Sequence, residues 1–396
     1  MFVHPRTTQF SNHLDVPNAP GNRDFSWVTL CFAVTLLLTV CIEAVQFAFS
    51  RTGQIADVRV STFRLHTSSV VSHTARATKA TVMKMKSISG FLVTVCLLSP
   101  MSSAKEFKLY YLGGQSNMDG YGYVKDLSGS DAEPVNGVML FHGNQGPDAH
   151  AVDGRGLWTE LKPGNGTGFR SDGIENTFSN RFGIELSFAR RLRELDPTSN
   201  IAIVKYSRGG TSISANAPAA ITFGCWEPDF HHDKPFGNIN QYDHFLATLN
   251  NAFAVQDIDG DGEADKLVPQ GIVWMQGESD ASSQQVAEQY EANLKRLMDM
   301  VRAALRKDDL RVVIGRISDS GKDGYMNDKA DGKVWEFGDI VRAAQANFAK
   351  TDENAAMVDS TDSYGYSDPW HYDSAGYLDL GRNFADAIFI SGSNPE

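Results

Sequence analysis

The chain has 396 residues, of which 42% are hydrophobic and 21% are charged, and its formal net charge is −12. This composition is typical of a globular protein that buries a sizeable core, and it argues against a disordered one. The acidic charge excludes nucleic acid and anionic membrane surfaces as favourable partners, whereas a neutral polysaccharide is compatible with it.

Residues 83–104 have the three parts of a secretory signal peptide. Lysines stand near the start, an apolar run covers 91–98, and small residues end at Ala104. The apolar run is shorter than the roughly 20 residues that a membrane-spanning helix needs. We therefore expect cleavage near Ala104 and a secreted or periplasmic protein with no membrane segment in its mature form.

Residues 1–82 precede this signal, although a signal peptide normally stands at the N-terminus. We expect them to be a non-native or unstructured upstream extension, with translation starting at Met83 or Met85. If they are translated, the apolar run at 27–42 is a candidate signal anchor instead. Of the four cysteines, only Cys225 follows the signal, which excludes an intramolecular disulfide in the mature chain.

Beyond Ala104, short β-branched or aromatic runs alternate with stretches that have apolar residues at helical spacing. The runs predict five strands, at 108–112, 201–206, 271–275, 311–317 and 356–359. The stretches predict helices at 184–195, 242–255, 281–305, 335–350 and 375–388. The alternation predicts a single α/β domain over 105–396, a three-layer αβα sandwich around a five-stranded parallel sheet. Two long loops, 121–181 and 211–241, are expected to form the walls of a binding site.

The first predicted strand leads into Gly113-Gly114-Gln115-Ser116-Asn117. Ligands bind at the carboxyl ends of strands in such sheets, and glycines permit the tight turn that would present Ser116 there as a nucleophile. A serine that merely caps a helix is the alternative. Met118 stands where the Gly-x-Ser-x-Gly elbow requires glycine, which disfavours the α/β-hydrolase fold.

The segment Asp368-Pro369-Trp370-His371 places a carboxylate three residues before a histidine, so one loop supplies a general base and the group that orients it. A solvated histidine after a turn is the alternative. Two further segments, 205–211 and 274–280, follow predicted strands and contain the backbone and side-chain amides that an oxyanion hole needs. The alternative is that both segments are structural turns. Because all four segments fall at one sheet edge, a Ser-His-Asp hydrolase is favoured.

Five blocks of the sequence resemble the sialate O-acetylesterase and carbohydrate esterase family 6 branch of the SGNH hydrolases: Gly114-Gln115-Ser116-Asn117-Met118, residues 183–189, Gly209-Gly210-Thr211, residues 274–280 and Asp368-x-x-His371. The resemblance runs over about 108–388. It implies a flavodoxin-like SGNH fold and a serine esterase that removes acetyl groups from polysaccharide, as acetylxylan esterases do, or from sialoglycan. It implies no cofactor for catalysis.

The resemblance also implies roles for individual residues. Ser116 is the nucleophile, His371 the base and Asp368 its partner. The oxyanion hole is formed by the backbone amide of Ser116, an amide of Gly209 or Gly210, and the side chain of Gln276, which stands where the broader SGNH pattern has asparagine. Four residues are expected to contact the acetylated carbohydrate: Asn117, Arg208, Glu278 and Trp226.

An acidic stretch at 257–265 resembles a calcium-binding loop, with hard oxygen ligands at alternate positions and glycine at position 6. Its ligand residues are Asp257, Asp259, Asp261, Glu263 and Asp265. Val268 replaces the bidentate glutamate of position 12. We expect a structural calcium ion here, and a solvated acidic turn is the alternative.

Two other functions stay open at this point. One is a catalytically inert, calcium-dependent glycan-binding protein on the same scaffold, which the presence of Ser116, Asp368 and His371 disfavours. The other is a lipase of the same superfamily, which the lack of an apolar entrance segment disfavours.

Overall fold

The computed structural model of the protein describes residues 104–145, 152–231, 239–322 and 331–390. The extension 1–82 and the predicted signal peptide, apart from Ala104, lie outside these residues. Within the described ranges, no helix is both long and apolar enough to span a lipid bilayer.

The core of the described part of the chain is a seven-stranded sheet. Its strands are β1 (Lys105–Gly114), β2 (Val138–His142), β3 (Trp158–Glu160), β4 (Asn200–Ser207), β5 (Asp265–Met275), β6 (Arg311–Gly315) and β7 (Ala355–Val358). They lie in the order β7-β6-β5-β1-β4-β2-β3. All neighbours are parallel except β2 and β3, so a single antiparallel strand closes one edge.

The five predicted strands are confirmed within a few residues, but the prediction of a five-stranded sheet was wrong in its strand count. Strands β2 and β3 lie inside the stretch that was predicted as the long loop 121–181. The apolar run of β2 is only four residues long, and glycines flank the strand at 137 and 143. Strand β3 is held by pairing with β2, as at Phe141 and Trp158. This part of the chain becomes part of the sheet because distant segments pair with each other, and sequence periodicity does not reveal such pairing.

Within the described residues, five long helices cover the sheet: α1 (Glu185–Leu195), α2 (Gln241–Ala254), α3 (Tyr290–Ala304), α4 (Gly338–Thr351) and α5 (Ser374–Ile390). Shorter α-helices span Ser116–Asp119, Ala220–Phe223 and Gln284–Glu288. Single 3₁₀ turns span Val124–Asp126, Gly129–Ala132, Asp280–Ser282 and Ser360–Ser363. Two small antiparallel pairs join Gly122–Tyr123 to Arg181–Phe182 and Arg170–Ser171 to Asn176–Thr177.

The helix predicted at 281–305 is interrupted. Ser283 has extended backbone, and its hydroxyl accepts a hydrogen bond from the amide of Val286, which starts the separate helix Gln284–Glu288. A serine side chain that caps a helix favours this break. The other four predicted helices are confirmed with shifts of one to three residues at their ends.

Helices cover both faces of the sheet. The ring of Tyr110 in β1 packs edge-on against Phe188 of α1, and the next residue, Tyr111, packs against Phe245 of α2. Successive side chains of a strand point to opposite faces, so α1 and α2 lie on opposite sides of β1. Residues 105–390, so far as they are described, therefore form the three-layer sandwich that the sequence predicts.

The carboxyl ends of the three central strands are joined directly. The amide of Gln115 donates to the carbonyl oxygen of Met275 at 2.9 Å, and the amide of Arg208 donates to that of Gly114 at 3.2 Å. Gly114 has φ +145°, and a Cβ atom there would lie 2.0 Å from the Met275 oxygen. Only glycine permits this close approach, which brings the loops after β1, β4 and β5 together at one edge.

Candidate active site

Ser116 is the first residue of the short helix after β1, and only 6% of its surface is exposed. The turn before it is held by the side chain of Gln115. Its Oε1 accepts hydrogen bonds from the amides of Gly277 and Ser279 at 3.3 and 3.4 Å. The structure thus places Ser116 at the carboxyl edge of β1, where the sequence predicts it, with its backbone fixed to the loop after β5.

His371 and Asp368 form a hydrogen-bonded pair within one loop. Nδ1 of His371 lies 2.7 Å from Oδ2 of Asp368, and Oδ1 of Asp368 accepts hydrogen bonds from the amides of Trp370 and His371 at 2.8 and 2.9 Å. One carboxylate oxygen therefore shapes the loop while the other orients the imidazole. Three residues of spacing suffice because the aspartate binds the backbone of its own turn.

The environment favours a neutral imidazole and an ionised carboxylate. Burial lowers the pKa of His371 below its usual 6.5, with Arg181 acting in the same direction and Asp368 opposing both. Burial works to raise the pKa of Asp368, but the hydrogen bonds from His371 and the two amides outweigh it, and that pKa is lowered. A neutral histidine beside a carboxylate is the arrangement that a general base requires.

Ser116 and His371 face one cavity of about 1080 Å³. The loops that carry them are in direct contact, because Nδ2 of Asn117 donates to the carbonyl oxygen of Trp370 at 3.2 Å. The structure therefore brings a hydroxyl from the start of the domain and an imidazole from its end to one rim of the sheet. Their catalytic roles stay predictions.

Two of the three predicted oxyanion-hole residues, Ser116 and Gly210, line this cavity. A Cβ atom on the neighbouring Gly209 would lie 3.3 Å from the Cβ of Ser116, so the glycine turn passes directly beside the serine. Gly210 has φ +76°, a conformation that favours glycine.

The third predicted member, Gln276, is placed differently. Its side chain is fully buried and does not reach the cavity. Nε2 donates to Oδ2 of Asp280 at 2.6 Å and to the carbonyl oxygen of Thr211 at 3.1 Å, while Oε1 accepts from the hydroxyl of Tyr290. Both amide hydrogens are thus used within the protein, where they tie the loop after β4 to the loop after β5. The oxyanion role of Gln276 stays a prediction.

Of the four residues expected to contact substrate, only Arg208 lines the cavity. Asn117 and Glu278 are buried beneath it, with Nδ2 of Asn117 donating to Oε1 of Glu278 at 2.7 Å. Trp226 is also fully buried and donates to the hydroxyl of Thr211. These three residues fill the layer that supports the loops, and their contact with substrate stays a prediction.

The aromatic residues that do face the cavity were not singled out by the sequence: Tyr121, Phe169, Phe223, Trp335 and Trp370. The first three lie in the predicted long loops, so the loop lengths signalled the walls but not the individual rings. Phe223 is 42% exposed, which is unusual for a phenylalanine. Flat apolar faces of this kind suit the faces of sugar rings.

In the acidic loop, one carboxylate oxygen each of Asp257, Asp259 and Asp265 lie within 4.8 Å of one another. The structure does not bring Asp261 or Glu263 into this group. Lys105 forms ion pairs with Asp259 and, at 3.7 Å, with Asp261. Acidic clusters are common without a bound ion, so the calcium site stays a prediction.

The sequence matches one family model over residues 106–390, that of "carbohydrate esterase, sialic acid-specific acetylesterase". No match was found among curated proteins. Among solved structures, the chain is similar to a protein from Arabidopsis thaliana, with 19% identity, 73% of this chain and 99% of that chain covered, and a TM-score of 0.47. It is also similar to a carbohydrate acetylesterase from Xanthomonas citri, with 17% identity, 72% and 57% covered, and a TM-score of 0.48.

Proposed function

Because the chain belongs to the carbohydrate esterase family of sialic acid-specific acetylesterases, and is thus a carboxylic-ester hydrolase, we propose that it removes acetyl groups from carbohydrate through a covalent acyl-enzyme on Ser116. The observation that supports this most directly is that Ser116 and His371 line one cavity, with Asp368 hydrogen-bonded to His371. An acyl transfer needs this set of groups, namely a nucleophile, a base within reach of it and a carboxylate that orients the base.

In the first half of the reaction, His371 accepts the proton of the Ser116 hydroxyl at Nε2, and the serine oxygen forms a bond to the acetyl carbon. The carbonyl oxygen becomes an oxyanion, which the backbone amides of Ser116 and Gly210 stabilise. His371 then donates its proton to the sugar oxygen as the C–O bond breaks. The deacetylated sugar leaves, and the acetyl group remains on Ser116.

In the second half, His371 takes a proton from water, which attacks the acetyl-serine ester. Collapse of the second tetrahedral intermediate returns a proton to Ser116 and releases acetate. Asp368 holds the proton on Nδ1, which leaves the lone pair of Nε2 free for this exchange. The residues themselves supply every proton transfer, so the proposal requires no cofactor.

The proposed substrate is an acetylated polysaccharide or sialoglycan. The aromatic walls support a carbohydrate, and the open cavity is large enough for more than the acetyl group alone. The competing proposal, an inert calcium-dependent glycan-binding protein, shares the walls but does not require the His371–Asp368 pair.

We further propose secretion or periplasmic export after cleavage near Ala104, which N-terminal sequencing of the native protein would test.

The proposed function is tested by labelling with a serine-directed phosphonate and by measuring acetate release from acetylated xylan, acetylated pectin and O-acetylated sialoglycan. We expect one phosphonate adduct, at Ser116, and acetate release from at least one of the three substrates. Tight glycan binding without adduct or acetate release would favour the inert binding protein instead.

A further inference from the structure

The ring of Tyr121 lies flat against the imidazole of His371. The two ring centroids are 3.5 Å apart and the planes differ by 4°. Tyr121 follows Ser116 by five residues, so the segment that carries the nucleophile also covers the base. Tyr121 lines the cavity as well, so both rings of the stacked pair border the space that a substrate would occupy.

The backbone holds this ring firmly. Gly120, just before it, has φ +99°, and a Cβ atom there would lie 2.2 Å from the Cα of Gly183, so the turn requires glycine. The amide of Thr167 donates to the carbonyl oxygen of Gly120 at 2.9 Å. The guanidinium of Arg181 donates to the carbonyl oxygen of Tyr121. The peptide groups on both sides of the ring are therefore hydrogen-bonded.

Asp368 alone does not fix the imidazole plane. Its hydrogen bond to Nδ1 constrains one edge of His371 and leaves rotation about the line joining the two groups. A parallel ring at van der Waals distance on one face blocks that rotation, because the imidazole edge would collide with it. The position of Nε2 then depends on the contact with Tyr121 as well as on the hydrogen bond to Asp368.

We propose that Tyr121 is a positioning residue for the esterase reaction: its ring fixes the plane of His371 so that Nε2 faces the Ser116 hydroxyl. This role rests on the proposed function, since it acts through the proposed base. The ring face is the active feature, and the phenol hydroxyl, which hydrogen-bonds to the side chain of Thr167, is dispensable for this role. The imidazole then needs no reorientation when substrate arrives.

Two substitutions separate the ring from the hydroxyl. Tyr121→Phe keeps the stacked ring and should leave kcat for p-nitrophenyl acetate within about 2-fold of the wild-type value. Tyr121→Leu removes the flat face and should lower kcat by about 10-fold with KM changed by less than about 2-fold, since loss of alignment acts on the chemical step. Unchanged kcat in Tyr121→Leu, or an equal loss in both variants, would overturn the proposal.

Tyr123→Leu is the matched control. Its ring lies two residues further on and contacts the guanidinium of Arg181 at 3.5 Å instead of His371. This variant should keep kcat, and a loss equal to that of Tyr121→Leu would mean that general disturbance of the segment, and not the stack, is responsible. If Tyr121→Leu fails to fold by circular dichroism, Tyr121→Met takes its place with the same expected result.

NMR of the imidazole tests the stack without any enzymatic turnover. Protons of the His371 imidazole lie close to the face of the Tyr121 ring and experience its ring current. Their chemical shifts should therefore change in Tyr121→Leu and stay the same in Tyr121→Phe. If the wild-type protein hydrolyses no acetyl ester, the proposed function fails, but the NMR result still decides whether the Tyr121 ring stacks on His371, as the positioning role requires. His371 resonances that are the same in all three proteins would overturn the positioning role.

Discussion

Asn117 and Trp370 are 253 residues apart in the chain, yet the side-chain amide of the first donates a hydrogen bond to the carbonyl oxygen of the second. Asn117 directly follows the proposed nucleophile, and Trp370 directly precedes the proposed base. The same amide nitrogen donates to Glu278, and Oδ1 of Asn117 accepts from the hydroxyl of Tyr377. Asn117 therefore sets the relative position of the two loops that the reaction must bring together.

Replacing Asn117 should disturb both stability and catalysis. Asn117→Ala leaves Glu278 and the Trp370 carbonyl without this donor, which should cost about 1–3 kcal/mol of unfolding free energy. It should also lower kcat by about 10-fold or more, because the two loops are no longer joined. Urea unfolding and kinetics with p-nitrophenyl acetate measure the two effects. Retention of full kcat would show that this hydrogen bond does not align the site.

Glu278 should make stability depend on pH. Burial raises the pKa of this carboxyl from its usual 4.5 to about 7, even though the hydrogen bond from Asn117 opposes the shift. The folded state thus binds a proton that the unfolded state has lost, and stability falls as pH rises from about 4.5 to about 7. Glu278→Gln removes this titration. The unfolding free energy of the variant, relative to that of the wild type, should therefore increase by up to roughly 3 kcal/mol as pH rises across that range.

Urea unfolding of both proteins at pH 5 and pH 8 measures this difference. The stability advantage of Glu278→Gln should be larger at pH 8. A difference between the two proteins that is the same at both pH values would mean that Glu278 does not titrate in this window.

The activity of the enzyme should follow the protonation of His371. Because burial lowers the pKa of His371, kcat/KM should rise with pH and reach its plateau through an apparent pKa below 6.5. Asp368→Ala removes a group that raises this pKa, so the acid limb should move to lower pH while kcat falls. The loss of kcat should be smaller than in His371→Ala. An acid limb that moves to higher pH in Asp368→Ala would contradict the assigned pairing.

The acidic loop should stabilise the fold when calcium is bound. If Asp257, Asp259 and Asp265 hold the ion, a calcium concentration of 100 times the Kd should add about 2.7 kcal/mol to the unfolding free energy. The melting temperature should rise accordingly. Asp257→Asn should abolish the increase, and Glu263→Gln, outside the group, should retain it. A melting temperature that changes with neither calcium nor EDTA would show that the loop does not bind calcium.

Much of the fold was predictable because it follows from local patterns. The strands around 108–112 and 271–275 are apolar runs long enough to be recognised, and their carboxyl ends carry Gln115-Ser116 and Gln276-Gly277. The rule that ligands bind at such ends was sufficient to predict that Ser116 lies at one sheet edge together with the loop that carries His371. The predicted family and the α/β sandwich are confirmed.

What the sequence could not predict depends on contacts between distant segments. Gln276 has the chemistry of an oxyanion donor, but Asp280 and Thr211 use its two amide hydrogens. Trp226 has a face suited to sugar, but it is packed edge-on against Trp274. Conversely, nothing in the residues around Tyr121 indicates that its ring lies on His371. Residue type and spacing report what a side chain is able to do, and the tertiary structure determines what it contacts.

Turnover of p-nitrophenyl acetate by Ser116→Ala tests most directly whether Ser116 is the nucleophile. Ser279, a second serine lining the same cavity, supplies the matched control Ser279→Ala. We predict that Ser116→Ala lowers kcat by at least about 10³-fold with an unchanged melting temperature, whereas Ser279→Ala retains turnover. Undiminished hydrolysis by folded Ser116→Ala would contradict the proposal that this serine is the nucleophile.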